Sequence, residues 1–520
     1  MRSSIIWRAL EKARAMNLAE TGAPQADAGA GAGNVTRRRV LAALAGGVGL
    51  AALPRWPAFA QPPADVAIVG GGLAGLAALD VLRGHHVAAT LYEARGTTGG
   101  RTRSVHGVFA PDFAFDEGAQ LVNTDHEDML ALIRRFRLTM VDREAFGPAR
   151  ELQIGRSGAV IAEARLAVAL RGIAAQISAD ARRLDADYAN VAREIDRLSV
   201  TAYLDRHGLR PGDARDALEA AIRTEFGSEP EEASAIELLF NLPTVDGREV
   251  KRLSKSDERY LISGGTDQVA KALTAEHRAD IRLNKRLTAV DIGSDSVRLV
   301  FADGEQVIAA RAILAMPPGT LRALQITGPL PPLWRAFIDE VRLGKNEKVI
   351  VGYDRSAWRR TIGFAGGLWA TGEFSEAWEA QSLAPAPGPA ALCYFLGGRQ
   401  VDAAASVETA ELARRFTAAA RRALPGLPAP NGRVRRTRWA DDPLTRGAYS
   451  RFAPGQLTRF APLFSVEAAG APPRAAQAGP LLFTGEHVSD AFWGFMNGAV
   501  QTGRIAAEAL LAEGARRAAA

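Results

Sequence analysis

The sequence predicts an α/β fold of two domains, the first of them built on a parallel sheet. The chain has 520 residues, more than a single hydrophobic core usually serves. Its 47% hydrophobic and 23% charged residues are the proportions of an ordinary globular protein. An apolar run at 65–69 leads through a glycine-rich turn into a helical pattern. This order is typical of a strand, a tight turn and a helix that packs back on the strand.

The formal net charge of +6 is concentrated at the N-terminus. Residues 1–60 carry eight Lys or Arg residues and three acidic ones, so residues 61–520 have a net charge of only about +1. A nucleic-acid-binding protein needs a basic surface on its folded body. The charge distribution therefore predicts no nucleic-acid partner and assigns the basicity to a leader.

The leader has the three parts of a twin-arginine export signal in the usual order. A paired arginine lies within 36–41, a weakly apolar run follows at 40–53, and Ala58-Phe59-Ala60 has the form of an A-x-A cleavage site. The apolar run is shorter than the roughly 20 residues of a membrane-spanning helix. We therefore predict a disordered leader and signal peptide at 1–60, export by the twin-arginine machinery, and a periplasmic or secreted mature chain without a stable membrane span. The alternative interpretation of this segment is a basic tail followed by an uncleaved anchor helix. Met16 is an alternative to Met1 as the first residue of the protein.

Cysteine and histidine are scarce. Cys393 is the single cysteine of the chain, which excludes an intramolecular disulfide and a site built from several cysteines. The seven histidines are dispersed along the sequence. We therefore predict no metal site.

The turn after the first strand has the spacing of a dinucleotide-binding motif. Gly70 permits the tight turn, Gly72 lets a pyrophosphate approach the backbone, and Gly75 lets the following helix pack close to the strand. The N-terminus of that helix directs unpaired N–H groups and a positive dipole end at the phosphates. A second strand at 87–92 ends at Glu93, where a carboxylate accepts hydrogen bonds from the adenosine ribose. These residues predict a Rossmann-type nucleotide site.

The residues that follow Glu93 indicate which class of enzyme carries this site. Arg95, two residues later, and then Gly99-Gly100-Arg101 form a pattern that resembles the flavoprotein amine oxidase family of monoamine, polyamine and L-amino-acid oxidases. The resemblance implies FAD rather than NAD. A second glycine pair, with Gly100, lets the chain run along an extended dinucleotide, and Arg101 can neutralise its pyrophosphate.

The resemblance extends over 65–511 and implies a two-domain amine oxidase fold. In the family, the residue that matches Leu287 meets the adenine, and the glutamate that matches Glu486 binds the ribityl–phosphate part of FAD. The backbone at Met496, at a helix start, matches the group that faces the flavin pyrimidine. A discontinuous Rossmann-type FAD-binding domain is expected to join an α+β substrate-binding domain. The FAD-binding domain is expected at 61–110, 255–320 and 436–515, and the substrate-binding domain at 111–254 and 321–435.

Three residues are expected to act on the substrate. Lys348 matches the family lysine that contacts flavin N5 through a water, where a buried ammonium stabilises negative charge. Tyr449 and Phe495 match the two walls of an aromatic cage that steers an amine nitrogen and excludes water. Ala448 stands where mitochondrial-type monoamine oxidases carry the cysteine that tethers FAD. The FAD is therefore expected to be held non-covalently.

The resemblance implies that the enzyme oxidises an amine to an imine by hydride transfer to the flavin. Oxygen then yields H2O2, and the imine hydrolyses to an aldehyde and ammonia or an amine. Many L-amino-acid oxidases of the superfamily carry a carboxylate-binding arginine where this chain has Leu121. A simple amine is therefore favoured as substrate, although Arg259 or Arg446 could hold a carboxylate in an L-amino-acid oxidase. A desaturase or isomerase of a hydrophobic substrate and a flavin-binding protein without activity are more distant alternatives.

Overall fold

The computed structural model describes residues 5–20, 64–241, 243–246, 249–252, 257–380, 388–468 and 470–519. The paired arginine, the apolar run and the A-x-A sequence of the predicted signal peptide lie outside the described residues. No helix in these described ranges is long and apolar enough to cross a membrane.

The elements alternate between the two predicted domains along the chain. The strands are, in chain order, β1 (Ala64–Val69), β2 (Ala89–Tyr92), β3 (Ser104–His106), β4 (Ala114–Asp116), β5 (Met140–Asp142), β6 (Glu151–Ile154), β7 (Val160–Ile161), β8 (Pro243–Asp246), β9 (Glu249–Arg252), β10 (Tyr260–Ile262), β11 (Ile281–Arg282), β12 (Leu287–Ile292), β13 (Val297–Phe301), β14 (Gln306–Leu314), β15 (Gln325–Thr327), β16 (Arg342–Leu343), β17 (Asn346–Tyr353), β18 (Gly367–Ala370), β19 (Glu376–Glu379), β20 (Ala390–Gly397), β21 (Val434–Arg436), β22 (Ser450–Arg451), β23 (Gln477–Ala478) and β24 (Leu481–Phe483). The α-helices are, in chain order, α1 (Ile5–Glu20), α2 (Leu73–Gly84), α3 (Glu127–Arg135), α4 (Glu163–Ala186), α5 (Tyr188–Asp196), α6 (Val200–Arg206), α7 (Asp213–Phe226), α8 (Ala235–Asn241), α9 (Asp267–Glu276), α10 (Pro318–Leu321), α11 (Pro332–Glu340), α12 (Arg399–Ala404), α13 (Thr409–Ala420), α14 (Gln456–Phe460) and α15 (Met496–Ala519). Short 3-10 helices occupy Arg143–Phe146, Arg278–Asp280, Ala357–Arg360, Ala461–Leu463 and Glu486–Val488.

The first domain is built on a large mixed sheet whose parallel part has the order β11-β2-β1-β14-β24. In the central strand Val69 lies opposite both Tyr92 and Leu314. The glycine-turn helix α2 and the C-terminal helix α15 pack against the sheet through buried aliphatic side chains. Because these strands come from the first, middle and last parts of the chain, the domain is discontinuous, as the sequence predicted. Its residue boundaries stay predictions.

The second domain contains a sheet with the order β21-β17-β20-β19-β18-β6-β7. Side chains alternate between the two faces of a strand, and one face of this sheet, including Val349 and Leu392, packs on α13. The opposite face carries Lys348, Phe395 and Glu376, which lie side by side because Lys348 and Glu376 are both registered against Phe395. This face lines the cavity that lies between the two domains.

Residues 5–20 correct the predicted disordered leader. They form α1, and its side chains at Ile5, Ile6 and Leu10 are at most 3% exposed within the main hydrophobic core that also includes α4. Arg8 donates to Glu163 at the start of α4, and Asn17 exchanges hydrogen bonds with Arg171 of α4. The high Ala and Gly content of 1–35 suggested disorder. The apolar residues of α1 recur at helical spacing, however, and the helix is stable because they are buried against α4.

Candidate active site

A cavity of about 380 Å³ lies where the two domains meet. Parallel strands end at the same edge of a sheet, and ligands of open α/β sheets bind outside the carboxyl ends of those strands. The residues that directly follow β1, β2, β14 and β24 all line this cavity, namely Gly70, Glu93, Ala315 and Thr484. The position is therefore the one at which a Rossmann-type sheet binds its nucleotide.

The glycine turn is shaped by close backbone contacts. Gly70 has φ of +111°, and a Cβ there would overlap the carbonyl oxygen of Ala315. A Cβ on Gly75 would overlap the carbonyl oxygen of Gly70, so the helix can approach the strand only without a side chain. Gly72 has no atom within 4 Å of where its Cβ would be, and it lines the cavity. The three predicted glycine roles therefore have a physical basis, and Gly72 leaves room for a phosphate.

Glu93, directly after β2, is held against the glycine turn by hydrogen bonds. Its two carboxylate oxygens accept hydrogen bonds from the backbone N–H groups of Gly71 (2.6 Å) and Arg95 (2.7 Å). Burial raises the pKa of this carboxyl, while the two backbone donors oppose the rise. Arg95 itself pairs with Asp442 at 2.7 Å, so it ties the nucleotide side of the cavity to the segment that leads to Tyr449.

The other predicted cofactor residues line the same cavity. These are Gly100, Arg101, Leu287, Glu486 and Met496. Arg101 Nη1 lies 2.7 Å from Glu486 Oε1, and this carboxylate also accepts hydrogen bonds from Gly494 N–H (2.8 Å) and from Ser450. Burial favours the neutral carboxyl, but Arg101, His487 and Ser450 hold its pKa below the ordinary value. Glu486 thus joins the arginine to the two segments that carry the aromatic residues.

Buried polar atoms that have no hydrogen-bond partner within the described protein indicate that the cavity can hold FAD. In the described part of the chain, Thr484 Oγ1 and both ring nitrogens of His487 are buried without a hydrogen-bond partner, and both residues line the cavity. Burial lowers the pKa of His487 to about 4, so its ring is neutral and can both donate and accept. The N-termini of α2 and α15 begin at the cavity with Leu73 and Met496. Helix N-termini supply N–H donors to phosphates and to an anionic ring.

Lys348 projects into the cavity from β17. Its Nζ donates to the carbonyl oxygens of Asp116 (2.9 Å) and Gly118 (2.8 Å) and lies 3.4 Å from Gln120 Oε1. The residue is 6% exposed, and burial lowers the pKa of its ammonium group. In contrast, the side chain of Lys345 is 49% exposed and pairs with Asp402, so it is the solvated lysine of this strand segment.

Tyr449 and Phe495 line the same cavity as Lys348. The Tyr449 ring packs on Gly494, whose Cβ would lie 3.6 Å from the ring, and a cis peptide bond joins Ala448 to Tyr449. Phe495 rests edge-on against His126, with 5.1 Å between ring centroids. Trp493 also lines the cavity. The structure thus brings the three predicted catalytic residues into one space with the predicted cofactor residues.

Sequence reasoning missed a group of charged residues in this cavity. They are Arg143, Glu225, Glu258 and Glu376. Glu376 and Trp378 share one face of β19, and this alternation is visible in the sequence Glu-Ala-Trp-Glu at 376–379. The pattern predicts a strand, but the position of Glu376 two strands away from Lys348 depends on strand pairing between distant segments.

The comparisons with known proteins agree with this site. The family model described as flavin containing amine oxidoreductase matches residues 73–511. A protein of Mycobacterium tuberculosis (strain CDC 1551 / Oshkosh), described as a flavin-containing monoamine oxidase and called AofH, is 28% identical over 86% of this chain and 97% of its own length. The L-amino acid dehydrogenase of Synechocystis sp. is 24% identical over 86% of this chain and 94% of its own length.

Solved structures of two enzymes share the fold. Putrescine oxidase, bound to putrescine, superposes with a TM-score of 0.72 at 21% identity and covers 87% of this chain and 99% of its own. Cyclohexylamine oxidase from Brevibacterium oxydans IH-35A covers 87% and 99% with a TM-score of 0.72 at 22% identity. The family match spans most of the chain and includes every predicted catalytic residue. The chain therefore belongs to the family of flavin-containing amine oxidoreductases and is an FAD-dependent amine oxidase.

Proposed function

We propose that the enzyme oxidises the C–N bond of a simple amine rather than that of an α-amino acid. The observation that carries this proposal is a group of three glutamates among the described residues that line the cavity. They are Glu225, Glu258 and Glu376, and Arg143 is the buried arginine among the described lining residues. A substrate carboxylate entering this region would meet like charges in a medium of low dielectric constant, which is unfavourable.

The arginines that could serve an amino-acid oxidase are engaged elsewhere or lie outside the substrate region. Arg143 donates to the carbonyl oxygens of Glu258 (2.9 Å) and Ala365 (3.3 Å). Arg259 pairs with Asp142 at 2.7 Å and is not among the described residues that line the cavity. Arg446 lines it beside Gly319, at the end of the cavity that also contains Pro317 and Thr320. These placements support an amine as substrate.

The chain's own residues bind and orient the substrate, while the chemistry belongs to the cofactor. FAD, when bound, would supply the two-electron chemistry, as the acceptor of a hydride from the carbon next to the amine nitrogen and as the donor of two electrons to O2, which with two protons gives H2O2. Tyr449 and Phe495 present apolar ring faces that hold the amine and exclude water. Lys348 Nζ donates to two backbone carbonyl oxygens, and an ammonium group at this place would stabilise negative charge. Hydrolysis of the imine then gives an aldehyde and ammonia.

We further propose that FAD is held without a covalent bond. Ala448 offers no sulfur at the position before Tyr449. Cys393 lies on β20, is 1% exposed, and is not among the described residues that line the cavity. Burial raises the pKa of the Cys393 thiol to about 12, so it remains an unreactive thiol.

The enzyme is expected to release H2O2 with amines and not with L-amino acids. The measurement is peroxide release from a panel of monoamines, diamines and L-amino acids, with anaerobic bleaching of the flavin as a second readout. Bleaching without peroxide would indicate an acceptor other than O2. Activity confined to L-amino acids would contradict the proposed substrate class. If no amine bleached the flavin, the proposal of amine oxidation itself would fail.

We propose that the protein is exported by the twin-arginine route, on the support of the motif at 36–41. Replacing Arg37 and Arg38 with lysine is expected to keep the protein in the cytoplasm, because the export machinery requires the arginine pair. Cell fractionation checks this, with Arg55→Lys as a control outside the motif. The mass of the exported protein shows whether the chain begins after Ala60, which would separate α1 from the body. Unchanged export of the double variant would exclude the route.

A further inference from the structure

Gln120 lies between Lys348 and Trp378, and all three residues line the cavity. The Oε1 atom of Gln120 lies 3.4 Å from Lys348 Nζ and accepts a hydrogen bond from Trp378 Nε1 at 3.1 Å. An indole N–H group can only donate, so the amide of Gln120 must present its oxygen to Trp378. The same oxygen is then the atom that Lys348 meets. Hydrogen-bond chemistry therefore fixes the orientation of this side chain, which is 7% exposed.

The surroundings of Lys348 Nζ suit an ammonium group better than a neutral amine. Two acceptors are the carbonyl oxygens of Asp116 (2.9 Å) and Gly118 (2.8 Å), and Gln120 Oε1 is the third and most distant. An ammonium group has three N–H donors, one for each oxygen. A neutral amine has two N–H groups and a lone pair, so one of three oxygens would face that lone pair. Gln120 is thus the acceptor whose presence distinguishes the charged form from the neutral one.

Within the described residues, the hydrogen-bond acceptors of Lys348 are neutral oxygens and not carboxylates. Burial lowers the pKa of the ammonium group, whereas Cys393, Asp116 and Glu117 oppose the fall from a greater distance. Glu376 is on the same face of the sheet but lies two strands away. The neutral oxygens that touch Nζ therefore make the direct contacts that help this buried group to retain its proton.

We propose that Gln120 is a positioning residue, which accepts the third hydrogen bond of Lys348 and thereby keeps this group charged, while Trp378 holds the amide oxygen in place. The proposal rests on the proposed amine oxidation and deepens it, because an ammonium group at this place would stabilise negative charge. It assigns Gln120 no contact with the reacting atoms. A role in packing alone would depend on the shape of the side chain and not on its oxygen atom.

Two replacements of Gln120 are expected to move the pKa of Lys348 in opposite directions. Gln120→Glu keeps the shape and places a negative charge beside the ammonium group, so Lys348 should bind its proton at least about tenfold more tightly. Gln120→Leu removes the acceptor but leaves the site buried, so the pKa of Lys348 should fall. Trp378→Phe keeps an aromatic ring but removes the N–H donor. The amide of Gln120 can then turn its NH2 group toward Lys348, and the pKa should fall in this variant as well.

NMR of the holoenzyme, labelled with 13C at the lysine ε-carbon, measures this pKa directly. The chain has seven lysines, so the spectrum contains few signals, and the signal of Lys348 is the one that is missing from Lys348→Met. The chemical shift of this signal is followed as the pH is raised. Gln306→Glu is the matched control, the same substitution at an exposed residue that is not among the described residues lining the cavity. It should leave the titration of Lys348 unchanged.

The reaction of the reduced flavin with O2 provides a second readout, which needs no amine when the flavin is reduced by light. A step that depends on the charged lysine slows as the pH rises through the pKa of Lys348. The pH at which this rate falls should therefore be higher in Gln120→Glu and lower in Gln120→Leu than in the unaltered enzyme. A rate that did not follow the NMR titration would overturn the link between Gln120 and the reaction.

The outcomes separate this proposal from that of amine oxidation. Opposite changes in the pKa of Lys348 in the two Gln120 variants support the positioning role. Changes in the same direction, or none, would overturn it, because the oxygen of Gln120 would then not decide the charge of Lys348. If no amine reduces the flavin, amine oxidation fails, whereas the titration of Lys348 is still measured. Retention of the flavin spectrum and the melting temperature in the variants shows that the changes do not reflect loss of the fold.

Discussion

Replacing Lys348 with methionine is expected to slow flavin reduction or its reoxidation at least tenfold, about 1.4 kcal/mol of activation free energy. Methionine has a similar length but carries no charge and donates no hydrogen bond. It would leave the carbonyl oxygens of Asp116 and Gly118 without their donor and remove the ammonium group from the cavity. Anaerobic stopped-flow mixing with substrate, followed by mixing of the reduced enzyme with O2, measures the two half-reactions separately.

Lys345→Met is the matched control for this experiment. Lys345 lies on the same segment, but its side chain is half-exposed and paired with Asp402 outside the cavity, so its replacement should leave both half-reactions unchanged. Burial lowers the pKa of Lys348 below the ordinary lysine value of 10.5. Any step that needs its proton should therefore slow as the pH rises through that lowered pKa. Unchanged rates in both half-reactions of Lys348→Met would show that this residue has no catalytic role.

Replacing Glu486 with alanine is expected to weaken FAD binding by more than tenfold. The substitution leaves the Arg101 guanidinium, the Ser450 hydroxyl and the Gly494 N–H group without their shared acceptor. Each buried group left without a partner costs about 1–3 kcal/mol. The segments that carry Tyr449 and Phe495 would also lose their common attachment. Flavin absorbance after gel filtration measures the retained cofactor, and acid precipitation tests whether any flavin stays on the protein.

The contribution of Glu486 to the stability of the folded protein depends on pH through its pKa. This pKa is lower in the folded protein than the ordinary 4.5. The stabilisation of the fold by ionised Glu486 is therefore fully present above pH 4.5 and is lost as the pH falls through the lowered pKa. Glu411→Ala, a half-exposed residue paired with Arg414, is the control and should bind FAD normally. Full flavin content and an unchanged melting temperature in Glu486→Ala would contradict the proposed role.

The nucleotide half of the site could be predicted from local sequence. Its geometry depends on short-range backbone constraints, such as the positive φ of Gly70 and the close contact of Gly75 with the preceding strand. Such constraints restrict which residue types fit, so they are visible as a motif. Lys348, Tyr449 and Phe495 were reached through family resemblance, and the structure places them in one cavity.

The N-terminal helix α1 shows that amino-acid composition alone does not predict whether a segment is ordered. Ile5, Ile6 and Leu10 form an apolar stripe, but 16 residues form only a marginally stable helix in isolation. Whether the stripe becomes ordered depends on a complementary surface, which α4 supplies more than 140 residues later. Local composition alone therefore suggested disorder where the folded protein has a buried helix.

The sequence by itself indicated the class of cofactor and the Rossmann-type sheet, because each depends on residue types within a short segment. The tertiary structure decided what surrounds the substrate. Glu376, Glu258 and Arg143 come from three segments without a shared motif, and strand pairing and domain packing bring them to one end of the cavity. Charge in a buried cavity acts through space rather than along the chain, so this group of charged residues is apparent only in the folded molecule.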